Sequence, residues 1–379
     1  MTFTFLTNLV NHHQIPLADE MHYLLGDDYH YIATEPLPDW LKKGGYSDTI
    51  ERTYIIKAYE SDEKYQEATS LVNESDVVMH GAAPFSFVKQ RLDENKVTFG
   101  YKERIFKDGY YHLLSPRALA NYYKYYTRYR DKKYYMLCAS AFTAPDTAKL
   151  FAFPNKCFKW GYFTSVDLNC DINNCMNAKE PNSILWVARF INWKHPETAV
   201  LATAKLKAKG YSFKLRMIGG GELKNETEKK INEYGLTDCI TLLGNMPNKE
   251  VLEWMKRSSI FIFTSDRNEG WGAVLNEAMS NACTAIASNR IGASPFLIKD
   301  GLNGFTYKDG DTDDLANKIA WLLEHPDENA KLGVAAYKTM AEEWNPQKAA
   351  HRLLTLSQIA LNESTLLSPY KSGPCSKAL

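Results

Sequence analysis

The chain has 379 residues, 45% hydrophobic and 24% charged, and its 45 basic and 45 acidic side chains give a formal net charge of zero. That length exceeds one ordinary core and predicts two domains, and the balanced charge argues against a nucleic-acid partner. No stretch approaches the ~20 apolar residues of a membrane span, and the start, Met1-Thr-Phe-Thr-Phe-Leu6, lacks the basic region of a secretory signal and reads as a buried strand.

In chain order, apolar runs bounded by turn residues predict strands at Phe3–Leu9, Tyr29–Thr34, Thr53–Ala58, Val77–Met79, Val97–Phe99, Tyr135–Ala139 and Cys157–Trp160. A second set follows at Ile184–Phe190, Lys214–Gly219, Ile240–Leu243, Ile260–Phe263, Thr284–Ala287 and Gly304–Tyr307. Helical stretches lie between most of them. Strands alternating with helices predict an α/β fold of parallel sheets covered on both faces. The polar, Asn-rich stretch from Asp167 to Asn182 separates the two sets, placing a first domain over 1–175 and a second over 183–345. Asn345-Pro346 opens a late helix over Gln347–Leu361, and the turn-rich tail from Ser368 to Leu379 is expected to be poorly ordered. The seven cysteines, at 138, 157, 170, 175, 239, 283 and 375, form no paired framework by number or spacing. They predict reduced thiols in a cytoplasmic setting.

The run from Ser265 to Ser280 holds two carboxylates eight residues apart, Glu269 and Glu277. It follows the strand Ile260–Phe263 and leads into a helix with Val274, Leu275, Ala278 and Met279 at apolar positions. Gly270 and Gly272 bracket the turn. Glu269 therefore falls in the loop at the strand's C-terminal end, and Glu277 about one turn into the helix. Between them the first helical N–H groups point outward with the positive end of the helix dipole. Such a place suits anionic oxygens beside hydroxyl groups, as in a nucleoside diphosphate-sugar. The plain alternative leaves Glu277 as a surface helix residue.

Other polar residues fall at the C-terminal ends of strands, where doubly wound sheets bind ligands. The strand Ile184–Phe190 delivers Arg189, with Lys194 five residues on, either as a pair of phosphate cations or as two surface charges. Met217-Ile-Gly-Gly-Gly-Glu222 ends the next strand in a turn that lets backbone approach phosphate. Leu243-Gly-Asn-Met-Pro247 ends the one after, and reads equally as an ordinary turn. His80 closes a strand before Gly81, and His12 and His13 follow the first strand. Asp309-Gly-Asp311 has metal-ligand spacing but reads as a turn and helix cap before Leu315. Residues 101–160 carry 12 Lys or Arg against 4 Asp or Glu, interleaved with Tyr in Ala120–Arg130. That segment fits contact with an anionic membrane surface, or a helix with a solvated basic face.

These motifs together resemble the E-x7-E signature of the retaining GT-B glycosyltransferases of family 4, closely over about 180–345 and more loosely before. The resemblance implies two Rossmann-like doubly wound domains facing each other across a cleft, with 346–379 crossing back onto the first. It implies that Glu269 contacts the donor sugar, that Glu277 bonds the ribose hydroxyls, and that Arg189 and Lys194 grip the diphosphate. The main chain of Gly270, Trp271, Gly272, Ala273 and Val274 holds sugar and phosphate, with Trp271 where Phe is more usual. Gly219 and Gly220 approach the phosphates, and Asn245 and Met246 neighbour the base. His80 faces the donor sugar as a fourth candidate catalytic residue, beside Arg189, Lys194 and Glu269. His12 and His13 occupy a loop that is Gly-rich in relatives and here is not; they are assigned to the acceptor side.

The implied activity is retaining transfer from a nucleoside diphosphate-sugar, expected to be UDP-linked, to a saccharide or lipid-linked acceptor, without metal or cofactor. The implied setting is surface polysaccharide or glycolipid synthesis in the cytoplasm, at the inner face of the membrane. Lys102-Glu-Arg-Ile-Phe-Lys107 and Lys159-Trp-Gly-Tyr-Phe163 resemble segments of bacterial surface-polysaccharide transferases. The same fold also serves nucleotide-sugar epimerases and could serve a non-catalytic sugar-nucleotide-binding subunit.

Overall fold

The computed structural model describes residues 1–38, 50–363 and 365–379. It divides into two compact units, Met1–Thr164 with Trp344–Leu379, and Ser165–Glu343. Residues 165–175, expected in the first domain, group with the second unit.

The first unit is built on seven parallel strands: β1 (Phe3–Thr7), β2 (Tyr29–Ala33), β3 (Ile55–Lys57), β4 (Val77–His80), β5 (Thr98–Lys102), β6 (Tyr134–Cys138) and β7 (Cys157–Lys159). Their order is β3-β2-β1-β4-β5-β6-β7. Every residue of β1 is buried, as expected of a central strand covered on both faces. The register pairs Leu6 with His80, and His80 with Gly100, so the loops after β1, β4 and β5 leave the sheet side by side. Arg91 is wholly buried beneath this sheet. Its guanidinium donates to the carbonyls of Val72, Ser75, Asp76 and Val97, and to Thr98 Oγ1. Four carbonyls replace the water that a buried cation loses.

The helix Pro346–Asn362 packs on Ile15–Leu25 in this unit. The tail differs from expectation, because it pairs with β7 instead of lying loose. Lys159 N–H donates to Ser376 O (2.7 Å), Cys375 N–H to Lys159 O (2.7 Å), and Ala378 N–H to Cys157 O (3.0 Å). β7 is the edge strand, and its outer N–H and C=O groups need partners.

The second unit has six parallel strands: β8 (Glu180–Val187), β9 (Lys214–Ile218), β10 (Ile240–Gly244), β11 (Ser258–Phe263), β12 (Thr284–Ser288) and β13 (Gly304–Tyr307). Their order, β10-β9-β8-β11-β12-β13, reverses direction between β8 and β11. Ile184, Trp186, Leu215, Met217, Ile260, Ile262, Ile286, Leu315 and Ile319 form its core. Each buried side chain of this kind stabilises by about 1.5–3 kcal/mol relative to exposure, so the loops above the sheet stand on a packed floor. Trp186 reaches from β8 to donate its indole N–H to Thr264 Oγ1 at 2.8 Å, just beyond β11. Cys170 and Cys175 are disulfide-bonded, contrary to the expectation of unpaired thiols. Asp171 caps the short helix Ile172–Asn177, and that turn brings the two sulfurs together.

Candidate active site

Ligands of doubly wound sheets collect where the strand order reverses, beyond the C-terminal strand ends. In the second unit that point lies between β8 and β11. The loop after β8 carries Arg189 and Lys194, and the loop after β11 carries Glu269. β8 stops at Val187, earlier than expected, so Arg189 sits in the loop and is exposed. Lys194 and Glu269 form an ion pair, with side chains 12% and 11% exposed. Trp193 lies between the two cations, its ring 4.1 Å from Lys194 Nζ and 5.8 Å from the Arg189 guanidinium carbon. Hydrogen bonds tie the two loops together and brace the second. Thr264 Oγ1 donates to Lys194 O (2.7 Å), Asp266 N–H to Trp193 O (3.0 Å), and Glu269 N–H to Asp266 O (3.1 Å).

His195, which the motif reading passed over, adds a side-chain clamp. Its backbone is left-handed, φ 49°, a conformation that favours glycine or asparagine. Nδ1 lies 2.7 Å from Glu197 Oε1 and Nε2 3.3 Å from Asp266 Oδ2. Both ring nitrogens donate only in the imidazolium form. The Glu197 carboxylate foremost, with Asp266, pushes His195 up to about 9 against the opposing effect of burial.

Glu277 is the fifth residue of the helix Ala273–Ser280 and is buried, so it is no surface residue. Burial pushes its carboxyl up to about 7, against a hydrogen bond from Asn248 Nδ2 (3.3 Å) that favours ionisation. Asn248 opens the helix Asn248–Arg257 that follows β10 and was also missed, since nothing in its own segment marks it. Gly272 opens the helix at φ 95°, and a Cβ there would fall 2.6 Å from the Phe263 ring. Trp271 turns into the core, where its indole N–H donates to Asn276 Oδ1 at 2.8 Å. Its contribution to the turn facing the site is therefore main chain, alongside Gly270, Ala273 and Val274.

The glycine turn after β9 is packed against the β8 loop. Gly219 has φ 134°, and a Cβ there would overlap the Ala188 carbonyl. A Cβ on Gly220 would fall 2.7 Å from Asn245 Nδ2, so the two loops touch. Met246 follows, half-buried.

In the first unit, His80 is buried and its Nε2–H donates to Ala83 O at 2.8 Å. Burial, with Lys102 beside it, lowers it to about 3 and keeps it neutral. Nε2 is thus engaged inside the unit, while Nδ1 is buried without a hydrogen-bond partner among the described residues. The rings of His12 and His13 lie 3.9 Å apart. Burial lowers both, His13 to about 3 with His12 as second cause. Asp311 caps the helix Thr312–Glu324 by accepting from the N–H groups of Asp313 and Asp314. Among the described residues no group of three or more His, Cys, Asp or Glu is placed to hold a metal ion. Among those residues no helix is long and apolar enough to cross a membrane.

Comparison with known proteins bears on the same region. Residues 173–339 match the model of the family described as glycosyl transferases group 1. An amylovoran biosynthesis glycosyltransferase of Erwinia amylovora is 29% identical over 180 residues, 46% of this chain and 44% of that protein. A putative colanic acid biosynthesis glycosyltransferase of Salmonella typhimurium is 27% identical over 185 residues, 47% of this chain and 45% of that protein. The chain thus spans about half the length of these curated relatives. The Anabaena protein Alr3699/HepE, solved with UDP, superposes with a TM-score of 0.69 over 94% of this chain and 100% of that one, at 14% identity. A likeness at that identity shows the fold, which is the GT-B arrangement of two parallel-sheet α/β domains. The candidate site falls within the segment that matches group 1 glycosyltransferases.

Proposed function

We propose that this protein is a retaining glycosyltransferase of the family 4 kind, moving a hexosyl group from a UDP-sugar to an acceptor hydroxyl in surface polysaccharide or glycolipid synthesis. The observation that carries this reading is the pairing of Lys194 with Glu269 at the strand-order reversal, inside the segment matching group 1 glycosyltransferases. The UDP in the Anabaena neighbour and the polysaccharide names of the Erwinia and Salmonella relatives support the donor and the pathway class.

The chemistry follows from charge. As the bond from the anomeric carbon to the diphosphate breaks, negative charge grows on the leaving oxygen. Arg189 and Lys194 stabilise that charge more than the ground state, as do the first N–H groups of Ala273–Ser280. The donor phosphate takes Glu269's place beside Lys194, leaving the Glu269 carboxylate to hold the sugar hydroxyls. Glu277 and Asn248 receive the ribose. The acceptor hydroxyl attacks on the face the diphosphate leaves, and the departing phosphate oxygen takes its proton, so configuration is retained. In this reading no metal ion is needed. The acceptor, a saccharide or a lipid-linked saccharide, is held by the first unit, and the basic, Tyr-rich helix Pro116–Tyr125 rests on the inner membrane face.

A UDP-sugar panel with candidate acceptors tests this, following UDP release and the anomeric proton of the product by NMR. Arg189→Ala and Glu269→Ala are each expected to slow transfer about 10²–10³-fold. Full rates in both variants would refute the site. A product of inverted configuration would refute retention, and donor conversion without acceptor would establish the epimerase instead.

A further inference from the structure

A cavity of about 430 Å³ opens in the first unit at the C-terminal ends of β1, β4 and β5. Its volume lies within the range of small-molecule sites. Asn8, Asn11 and Gln14 line it with amides, and Tyr101, Tyr126 and Tyr162 with rings, the usual surroundings of a sugar. Charged groups line it as well. Glu103 accepts from Lys107 Nζ (2.6 Å) and from Tyr162 O–H (3.3 Å). Arg104 lines it too, 3.8 Å from Asp146, which lies outside the lining and accepts the N–H groups of Ile105 and Phe106. Both carboxylates are thus engaged with other partners.

Lys102 is different. Its ammonium has three donors, and its hydrogen bond is to a neutral group, Gly81 O at 2.6 Å. Among the described residues no carboxylate pairs with it. Burial without a counter-charge lowers it to about 8, still largely protonated at neutral pH. A desolvated cation bordering a polar cavity favours an anion there.

We propose that this cavity binds an acidic saccharide acceptor, with the Lys102 ammonium as counter-ion to the acceptor's oxyanion. The word acceptor rests on the glycosyltransferase reading; the preference for an anion does not. The shared chemistry is an oxyanion on a sugar ring, either the carboxylate of a uronic acid or a phosphate monoester.

The test uses the full chain and three probes, methyl β-glucuronide, methyl β-glucoside and glucose 6-phosphate, with binding measured by calorimetry. At least one acidic probe should bind about tenfold or more tightly than the neutral glucoside, and the better of the two identifies the oxyanion. Lys102→Gln, whose amide still donates to Gly81 O, should abolish that preference, and Lys102→Arg should keep it. UDP-sugar binding should be unchanged in both. Equal binding of all three probes to the wild type, or a preference that survives in folded Lys102→Gln, would overturn the proposal. If Lys102→Gln does not fold, Lys102→Met and the wild-type comparison decide. UDP-sugar turnover without anion preference overturns this inference alone. Anion preference without any UDP-sugar binding overturns the transferase reading and leaves the anion site standing.

Discussion

Glu277 offers a quantitative test of the donor site, because its burial makes protonation and donor binding compete. With no donor, burial pushes its carboxyl from 4.5 to about 7. That shift corresponds to about 3.4 kcal/mol against the charged form. Ribose hydroxyls donate best to a carboxylate, so a bound nucleotide should restore an ordinary acidity. Donor binding then releases the proton that the empty site holds. From a free-state value near 7, about 0.9 proton should leave at pH 6, about 0.5 at pH 7 and about 0.1 at pH 8. Affinity should strengthen about fivefold from pH 6 to 7 and about twofold more to pH 8, where Glu277 is already ionised. UDP-glucose is the ligand of choice, since its diphosphate is esterified at both ends and does not titrate in this window. Calorimetry in two buffers of different ionisation enthalpy counts the protons directly. Glu277→Gln should bind with no proton release at any pH. If the wild type releases none between pH 6 and 7, or if the Gln variant releases as many, Glu277 is not the ribose acceptor.

His195 should give stability an opposite dependence on pH. Its folded-state value is raised from 6.5 to about 9, so its contribution is complete below 6.5 and is lost as pH rises through 9. At face value the shift is worth about 3.4 kcal/mol, but about a third of the side chain is exposed, and screening reduces this to about 1 kcal/mol. The urea stability of the wild type should therefore approach that of His195→Gly between pH 6 and pH 10. Glycine suits the left-handed backbone, so parallel curves would show that the ion pairs contribute nothing. Gly219→Ala should cost about 3 kcal/mol or more, from a disallowed φ and overlap with Ala188 O, against about 1 kcal/mol for Gly210→Ala, where the added methyl meets nothing. Similar urea midpoints for the two would refute the packing argument. For the membrane contact, Leu119 and Tyr123 are exposed on Pro116–Tyr125, and Lys124, Arg128 and Arg130 are exposed beside them. Replacing those three cations by Gln should weaken binding to phosphatidylserine vesicles about 100-fold, at about 1 kcal/mol per charge. Equal wild-type binding to neutral vesicles would rule out the electrostatic contact.

Much of the architecture was legible in the chain itself. Apolar runs of strand length between turn residues located every strand of both sheets, because a central parallel strand must be apolar on both faces. The glycines at 219 and 272 marked turns that no side chain can occupy, a local steric property. The spacing of Arg189 and Lys194 and of Glu269 and Glu277 set them at strand ends, where this topology puts ligands. What depends on partners distant in sequence was not legible. Lys194 and Glu269 are 75 residues apart, and only the adjacency of β8 and β11 joins them. The proton on Glu277, the charge on His195 and the unmatched ammonium of Lys102 are set by burial and by neighbours from other elements. The tail paired with an exposed edge strand for the same reason. Periodicity records which residues avoid water, whereas ionisation and hydrogen bonding depend on which groups meet once water has been excluded.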